Sequence, residues 1–228
     1  EVAKVLSTML NRRMIRLQCY EGLDISSAVY EWNYTRQMLH IRMVEASGKF
    51  DQKSTVRDIF GPDFLMKRPL LQAIDGNSEK APVLLIDELD RADEEFEAFL
   101  LEVLSDFQIT IPEIGTVKAQ EIPIVLVTSN RTREIHDALK RRCLYHWIDY
   151  PSFEKEQQII LTKIPEAPQH LAAEVASFVQ GLRREDLYKR PGITETLDWV
   201  SALAALNEQT LSQEVIEQTL GTLLKYQD

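Results

Sequence analysis

The stretch Val83-Leu84-Leu85-Ile86-Asp87-Glu88 decides the fold, because four apolar residues run directly into two adjacent carboxylates. The apolar run is too short for a helix face and follows Pro82, so it predicts a buried strand of a parallel sheet. In open α/β sheets, binding and catalytic groups lie at the carboxyl ends of the strands. Asp87 could hold Mg²⁺ at that edge, and Glu88 could polarise a water molecule. The plain alternative is a strand that ends in a solvated turn.

The composition is that of an ordinary globular protein, and its 228 residues can form one large domain or one domain with a small second one. The net charge is −10 and there is no long basic run, which argues against a dedicated nucleic-acid binder or a binder of anionic membranes. The two cysteines, Cys19 and Cys143, form no disulfide framework and favour a reducing, cytoplasmic compartment. No apolar run approaches membrane-spanning length, and no secretory signal is recognisable.

Upstream of the central strand, residues 14–19 alternate between apolar and polar side chains and predict a second strand. Residues 75–78 predict a turn just before the central strand. The other upstream patterns are helical and cover residues 1–10, 26–33, 35–45 and 63–74, the last interrupted by Pro69.

Downstream of the central strand, Asp93 predicts the N-cap of a helix with a regular apolar stripe. That stripe consists of Phe96, Phe99, Leu100, Val103, Leu104 and Phe107. The following patterns predict, in order, a hairpin at 108–119, an apolar strand at 122–128, a short helix at 134–142 and a further strand at 144–148.

From Pro151 onward the pattern is helical throughout, with no strand signal. We expect helices at residues 153–163, 169–182, 194–206 and 211–225, the last with a capping box formed by Thr210 and Gln213. The sequence therefore predicts an α/β domain at residues 1–150 and a small all-α domain at residues 151–228.

The order of these elements resembles that of an AAA+ ATPase and, within that class, the MoxR family. Residues 83–88 are similar to the family's Walker B strand, and Thr128-Ser129-Asn130 is similar to the strand end called sensor 1. Ala138-Leu139-Lys140-Arg141-Arg142 is similar to the helix end that bears the arginine finger. The resemblance implies a P-loop NTPase-type parallel sheet with flanking helices, followed by a small all-α lid domain.

Two segments have the place of family-specific insertions. Residues 108–119 correspond to the hairpin before sensor 1, and residues 20–50 correspond to the insertion associated with the second helix. Tyr188-Lys189-Arg190-Pro191-Gly192-Ile193, together with Gln18-Cys19-Tyr20-Glu21-Gly22, most resembles the carbon monoxide dehydrogenase accessory type. The resemblance covers essentially the whole chain.

The resemblance implies a role for each candidate catalytic residue. Asp87 would help to hold hydrated Mg²⁺, and Glu88 would orient and deprotonate the attacking water. Asn130 would hydrogen-bond that water or the γ-phosphate, and its plain alternative is to cap the next segment. Arg142 would place positive charge on the γ-phosphate held by a neighbouring subunit. Arg142 could instead be a surface charge, with Arg141 as the finger.

Arg190 is the candidate nucleotide contact in the helical domain. Matching Pro191-Gly192-Ile193-Thr194 to the family's lid helix puts Thr194 where related proteins have the sensor 2 arginine. Two alternatives remain open. Either Arg190 substitutes from the preceding loop, or sensor 2 is lost.

One part of the family's nucleotide site has no counterpart in the sequence. The family binds phosphates with a glycine-rich loop that ends in Gly-Lys-Thr or Gly-Lys-Ser, and no such string occurs here. Glu1-Val2-Ala3-Lys4 resembles what immediately follows that loop. We therefore expect an N-terminal truncation just after the Walker A loop. The parent protein would be an ATP hydrolase, and this chain alone would be inactive.

The resemblance implies ATP and Mg²⁺ as cofactors and a homo-oligomeric ring, expected to be a hexamer. The ring would remodel or mature a protein client, for example during metal-cofactor insertion, and would work with a partner that carries a von Willebrand factor A domain. No membrane partner is expected, and the acidic balance disfavours nucleic acid. A DNA-directed AAA+ motor and a non-hydrolysing interaction domain are the alternative functions.

Overall fold

The computed structural model describes residues 1–48, 51–76 and 80–224. They group into two compact units, one within Glu1–Tyr145 and one within His146–Asp228. Both helices and strands occur in the first unit, and the described part of the second is helical. The predicted fold class, an α/β part followed by a helical C-terminal part, is therefore confirmed. None of the helices in the described ranges is long and apolar enough to cross a membrane.

The first unit contains fourteen α-helices and strands among its described residues, besides two short 3-10 turns. In chain order they are α1 (Val2–Leu10), β1 (Met14–Gln18), α2 (Ile25–Ala28), β2 (Tyr30–Trp32), α3 (Tyr34–Ala46), α4 (Gln52–Ile59), β3 (Leu65–Lys67), α5 (Pro69–Ile74), β4 (Val83–Asp87), α6 (Glu94–Asp106), β5 (Gln108–Ile111), β6 (Gly115–Lys118), β7 (Ile124–Val127) and α7 (Asp137–Lys140).

A three-stranded parallel sheet, in the order β1-β4-β7, forms the centre of this unit. In the register of the strands, Gln18 lies opposite Asp87 and Leu85 lies opposite Leu126. Leu84 and Ile86 are buried on one face of β4, whereas Leu85 and Asp87 are half-buried on the other. Strand alternation thus places the Asp87 side chain on the more open face, at the carboxyl edge of the sheet.

The buried face of β4 explains why this apolar stretch becomes the central strand. Its Leu84 and Ile86 belong to one hydrophobic cluster with Leu71 from α5 and with Phe96 and Leu100 from α6. Fully burying each such side chain stabilises the fold by about 1.5–3 kcal/mol. The strand is therefore held by helix packing as well as by hydrogen bonds to two neighbours.

The helix after the central strand, α6, begins and ends as its sequence predicts. The Asp93 carboxylate accepts a hydrogen bond from the Phe96 backbone N–H (2.8 Å), as expected for an N-cap. The helix ends at Phe107, which takes the left-handed conformation (φ 48°). The hairpin predicted downstream is also present as β5 and β6, paired antiparallel.

Two predicted helices are wrong in part. Residues 26–33 form the short helix α2 and then β2, which pairs antiparallel with β3, so that Trp32 lies opposite Leu65. Residues 63–74 contain β3 and then α5. Pro69 begins this last helix instead of interrupting it, because the first helical position needs no N–H donor. Pairing between distant segments has overridden the local helical period here.

The strand predicted at residues 144–148 is wrong. These residues form neither helix nor strand in the structure, and Leu144 and Ile148 are exposed. A short apolar segment makes a strand only where a neighbouring strand supplies hydrogen-bond partners, and none of the described strands pairs with this one. The helix predicted at 134–142 is shorter than expected, with α7 forming a single turn.

Two other predictions fall partly outside the described residues. They are the turn at residues 75–78 and the end of the helix at 211–225. The described N-terminal end of that helix corrects the predicted capping box of Thr210 and Gln213. Its N-cap is Ser212, whose hydroxyl accepts from the Val215 N–H (3.3 Å).

The second unit consists of α8 (Phe153–Lys163), α9 (Gln169–Leu182), α10 (Ile193–Ala205) and α11 (Gln213–Leu223). Its core includes Leu171, Val175, Trp199 and Leu203, all fully buried. The Trp199 indole N–H donates to the Thr219 hydroxyl (2.8 Å), which satisfies the only polar atom of that side chain. These four helices are close to those that the sequence predicts.

A buried ion pair holds three of these helices together. Glu156 on α8 is 0% exposed, and Arg183 at the end of α9 donates one N–H to each of its carboxylate oxygens (2.6 and 2.8 Å). The same carboxylate accepts from Gln180 (2.9 Å) and from Thr196 on α10 (2.9 Å). All partners of the carboxylate are therefore donors, and the pair is fully satisfied.

We expect Glu156→Gln to lower the free energy of unfolding by about 3–5 kcal/mol, because it leaves the Arg183 charge buried and uncompensated. Urea unfolding measures this loss. Glu166→Gln, in the exposed loop after α8, is the matched control and should change stability by at most about 0.5 kcal/mol. A loss below about 1 kcal/mol in Glu156→Gln would show that the pair contributes no more than a surface bridge.

Candidate active site at the carboxyl edge of the sheet

The chain turns sharply where β4 ends. Glu88 takes the left-handed backbone conformation (φ 56°, ψ 48°), which non-glycine residues rarely adopt. The Leu89 N–H donates to the Thr128 carbonyl (2.9 Å), so the turn is fastened to the end of β7. Strained backbone of this kind costs roughly 1–3 kcal/mol and is concentrated at functional sites. The turn places the side chains of Asp87 and Glu88 at the sheet edge.

Both oxygens of the Asp87 carboxylate accept hydrogen bonds. The Thr128 hydroxyl donates to Oδ1 (2.6 Å), while Nε and Nη2 of Arg16 both donate to Oδ2 (2.9 and 2.5 Å). Partial burial by itself raises the pKa of Asp87, but the hydrogen bonds from Thr128 and Arg16 and the Arg16 charge outweigh it and lower the pKa. Asp87 is therefore an ionised carboxylate at neutral pH.

The Glu88 carboxylate is also held from two sides. Its Oε1 accepts from Nδ2 of Asn130 (3.2 Å), and its Oε2 accepts from Nε2 of Gln18 (3.0 Å). Arg91 lies 3.8 Å from Oε2 as a looser ion-pair partner. Three of the residues predicted for the site, Asp87, Glu88 and Asn130, are thus brought together by the fold.

The loop that carries Asn130 is fixed by a buried acid. Asp90 is only 2% exposed, and it accepts from the backbone N–H groups of Asn130 (3.0 Å) and Thr132 (2.9 Å) and from the Thr132 hydroxyl (2.7 Å). Burial raises the pKa of Asp90, but these hydrogen bonds outweigh it and lower the pKa. Asp90 therefore keeps the Asn130 side chain in reach of Glu88.

A second buried acid fixes the next part of the same loop. Glu97 on α6 forms an ion pair with Arg133 and accepts from the His136 backbone N–H (2.9 Å). Arg133 also donates to the Ala92 carbonyl (3.0 Å from Nε). The loop from Asn130 to His136 is thereby attached to the start of α6.

The predicted arginine finger lies at a different place in the unit. Nη1 of Arg142 donates to the Leu101 carbonyl on α6 (2.9 Å) and to the Ser105 hydroxyl. This contact puts positive charge near the C-terminal end of α6, which also favours the helix dipole. Arg141 is exposed and makes no side-chain hydrogen bond or ion pair with the described residues. The structure does not bring either arginine to Glu88 within one subunit.

Arg190 belongs to the C-terminal unit. It is exposed in the loop before α10 and makes no hydrogen bond or ion pair within the described part of the chain. Thr194 is exposed in the first turn of α10, the position at which the resemblance expects the sensor 2 arginine. Both alternatives for Arg190 therefore remain predictions.

Four residues at the site were not predicted. They are Arg16, Gln18, Thr128 and Asp90, which contact the carboxylates or hold the Asn130 loop. The alternation of apolar and polar residues in β1 indicates that Arg16 and Gln18 face away from the core. Only the register between β1 and β4 shows that these two side chains reach Asp87 and Glu88. Asp90 looks like one more polar residue of the turn, and its burial is a tertiary property.

The donor set at the sheet edge suits magnesium bound together with phosphate oxygens. Mg²⁺ usually takes one or two carboxylates, several waters and substrate phosphates, whereas an all-protein cage is uncommon for it. Asp87 offers an ionised carboxylate, and the described residues contain no cluster of three or more His, Cys, Asp or Glu that could hold a metal by itself. Cys19 is no competing ligand, because burial and the nearby acids raise the pKa of its thiol to about 12.

Comparison with solved structures identifies the fold. A variant of Thermotoga maritima RuvB aligns with 97% of this chain and 57% of its own length, at 15% identity and a TM-score of 0.50. The chain shares the fold of this RuvB structure. The chain therefore spans less than two thirds of that structure, and at this identity the likeness concerns the fold alone.

Other solved structures align less closely. The Thermotoga maritima RuvB Holliday junction branch migration motor has 17% identity and a TM-score of 0.42, with 97% of this chain and 66% of that one covered. A protein of Cytophaga hutchinsonii proposed to be an ATPase has 16% identity and a TM-score of 0.41, with 98% and 74% covered. No protein-family model and no curated protein matches the chain.

Proposed function

We propose that this chain belongs to a MoxR-type AAA+ ATPase that hydrolyses ATP in order to remodel or mature a protein client. The observation that carries this proposal is the meeting of Asp87, Glu88 and Asn130 at the carboxyl edge of a parallel sheet, with Asn130 3.2 Å from Glu88. An ionised acid, a second acid and an amide are the side chains that a site for magnesium-dependent phosphoryl transfer to water requires.

Each residue has a chemical task in this proposal. Asp87 would hold Mg²⁺ through its carboxylate, and the metal would neutralise charge that develops on the phosphates. Glu88 accepts the proton of the attacking water, and the Asn130 amide keeps the Glu88 carboxylate in place and can itself orient that water. Thr128 and Asp90 are positioning residues, since they act through Asp87 and through the Asn130 loop.

The proposal extends to the domains, the oligomeric state, the client and the partner. Residues 1–150 would form the nucleotide-binding domain and residues 151–228 the lid, with Arg190 as the lid's nucleotide contact. A homo-hexameric ring would bring Arg142 or Arg141 to the site of a neighbouring subunit. The protein client, with metal-cofactor insertion as one task, and a partner with a von Willebrand factor A domain come from the family resemblance. The acidic charge of −10 favours a protein over DNA as the substrate.

ATP binding and hydrolysis test the proposal directly. Residues 1–228 contain no Gly-Lys-Thr or Gly-Lys-Ser string, so we expect calorimetry to detect little or no binding of magnesium-ATP to this chain alone. The product of the complete reading frame that contains these residues should hydrolyse ATP in a magnesium-dependent manner, and Asp87→Asn should lose that activity.

The same assay separates the alternatives. Hydrolysis stimulated by DNA, and not by any protein, would indicate a DNA-directed motor. A complete product that neither binds nor hydrolyses ATP would indicate an interaction domain and would overturn the proposal. Micromolar binding of magnesium-ATP to residues 1–228 would show that phosphates are held by a different part of the chain.

A further inference from the structure

Arg16 occupies the carboxylate to which the proposed function assigns the magnesium ion. Nε and Nη2 of Arg16 both donate to Oδ2 of Asp87 (2.9 and 2.5 Å), which fills both acceptor positions of that oxygen. The Thr128 hydroxyl takes one position on Oδ1 (2.6 Å). A hydrated metal ion therefore cannot use Oδ2, directly or through water, until the guanidinium leaves.

The same guanidinium reaches the second acid through Gln18. Nη2 of Arg16 donates to Oε1 of Gln18, and this contact fixes the amide so that its Nε2 faces Glu88 (3.0 Å). Arg16 and Gln18 lie two residues apart on one face of β1, in register with the end of β4. One side chain thus connects the metal-binding acid to the water-activating acid.

The ion pair between Arg16 and Asp87 lies at the surface, so Arg16 can leave it at low cost. The Arg16 side chain is 53% exposed, so its guanidinium can return to water with little cost of rearrangement. A buried arginine would be far more expensive to detach from its partner. The contact positions Asp87 in the metal-free protein, and an exposed ion pair of this kind contributes only a small free energy, which a divalent cation has to overcome.

We propose that Arg16 is a placeholder for magnesium, which holds Asp87 and, through Gln18, Glu88 in the metal-free protein and is displaced when the metal binds. Displacement removes the donor that orients the Gln18 amide, so the Gln18 contact on Oε2 of Glu88 is released while Asn130 still holds Oε1, and Oε2 can then face a water molecule. Arg16 is a positioning residue in this scheme, and metal binding and release of the base become one event. The inference rests on the proposed function, because that function makes Asp87 the magnesium ligand.

Manganese binding tests the placeholder without any measurement of activity. Mn²⁺ is titrated into ¹⁵N-labelled residues 1–228, and its paramagnetic broadening is followed at the backbone amides of Cys19 and Thr128. Cys19 donates its N–H to the Asp87 carbonyl (2.9 Å), and Thr128 touches the Asp87 carboxylate, so both amides report on this site. Asp87→Asn should remove the broadening and so identify the ligand.

Arg16→Gln should lower the Mn²⁺ concentration that gives half of the maximal broadening by about two- to fivefold. This factor corresponds to the free energy that an exposed ion pair usually contributes. Arg16→Lys keeps the charge but lacks the two-pronged donor, and should fall between the wild type and Arg16→Gln. Arg13→Gln is the matched control. It removes the same charge one residue before β1, where Arg13 donates to Gln72 (3.0 Å), and should leave the midpoint unchanged.

The side-chain amide of Gln18 gives the second readout. Its NH₂ signals should shift when Mg²⁺ is added to the wild type, and should already be shifted in metal-free Arg16→Gln. Thermal melting confirms that each variant is folded. If Mn²⁺ broadens the signals around Asp87 but Arg16→Gln and Arg13→Gln have equal midpoints, the placeholder role of Arg16 is wrong, while Asp87 remains a metal ligand. Absence of broadening in the wild type and in every variant shows that Asp87 does not bind the metal in this chain and overturns the placeholder, whereas the metal site of the proposed function is tested separately by hydrolysis in Asp87→Asn of the complete product.

Discussion

Glu88→Gln should lower the turnover of ATP hydrolysis by about 10²- to 10⁴-fold in the product of the complete reading frame, the usual contribution of a general base. Nucleotide binding should remain, since the substitution changes neither the size of the side chain nor the charge of Asp87. Steady-state hydrolysis and calorimetry of magnesium-ATP binding measure the two effects separately.

The contacts of Glu88 explain why glutamine is the right replacement. The carboxylate accepts from Gln18 on one oxygen and from Asn130 on the other. A glutamine keeps one acceptor, which can face Gln18, and a flip of the Asn130 amide can present an oxygen to its new NH₂ group. The site can therefore stay hydrogen-bonded while it loses the proton acceptor.

Glu102→Gln is the matched control for this experiment, because Glu102 is an exposed acid on α6 with no hydrogen bond or ion pair in the described structure. It should leave turnover unchanged. Near-normal turnover in Glu88→Gln would remove Glu88 from the mechanism. Loss of ATP binding in Glu88→Gln would instead indicate that the carboxylate mainly supports the structure of the site.

Local sequence patterns predicted an element correctly where the apolar residues of that element by themselves specify its type and its buried face. The run from Val83 to Asp87 is apolar enough to be a central strand, and Asp93 with the following apolar stripe specifies α6. The same patterns failed at β2, whose helical assignment was overridden by pairing with β3 more than thirty residues away. They also failed at residues 144–148, where a short apolar segment lacks a partner strand among the described residues.

The candidate site, like the fold, could be predicted only in the part that local patterns specify. Asp87, Glu88 and Asn130 follow two apolar strands, and the carboxyl ends of parallel strands meet at one edge, so their proximity could be expected. Arg16 and Gln18 depend on the order and register of β1 and β4, which no local pattern determines. In the proposed ring, the target of Arg142 or Arg141 lies on a neighbouring subunit, so no pattern within one chain specifies it.

An arginine finger should also be dispensable within its own subunit and essential to the neighbour. We expect Arg142→Ala to keep ATP affinity and to lower hydrolysis by about 10³- to 10⁵-fold, as loss of an arginine finger does. The alternative is that Arg142 only caps α6 through Leu101 and Ser105, in which case its loss costs at most about 1 kcal/mol of stability. Arg141→Ala is measured in parallel, because Arg141 is exposed and uncommitted within the described subunit.

Mixing two inactive variants distinguishes these cases. In a ring that contains Arg142→Ala and Glu88→Gln subunits, some interfaces join an intact Glu88 to an intact Arg142, and these interfaces are complete. Mixed rings, verified by co-purification of differently tagged subunits, should therefore recover part of the activity. An arginine that acts within its own subunit, or only caps α6, predicts no recovery at any mixing ratio. The arginine whose loss is rescued by mixing is the one that crosses the interface, and the same experiment with Arg141→Ala decides between the two.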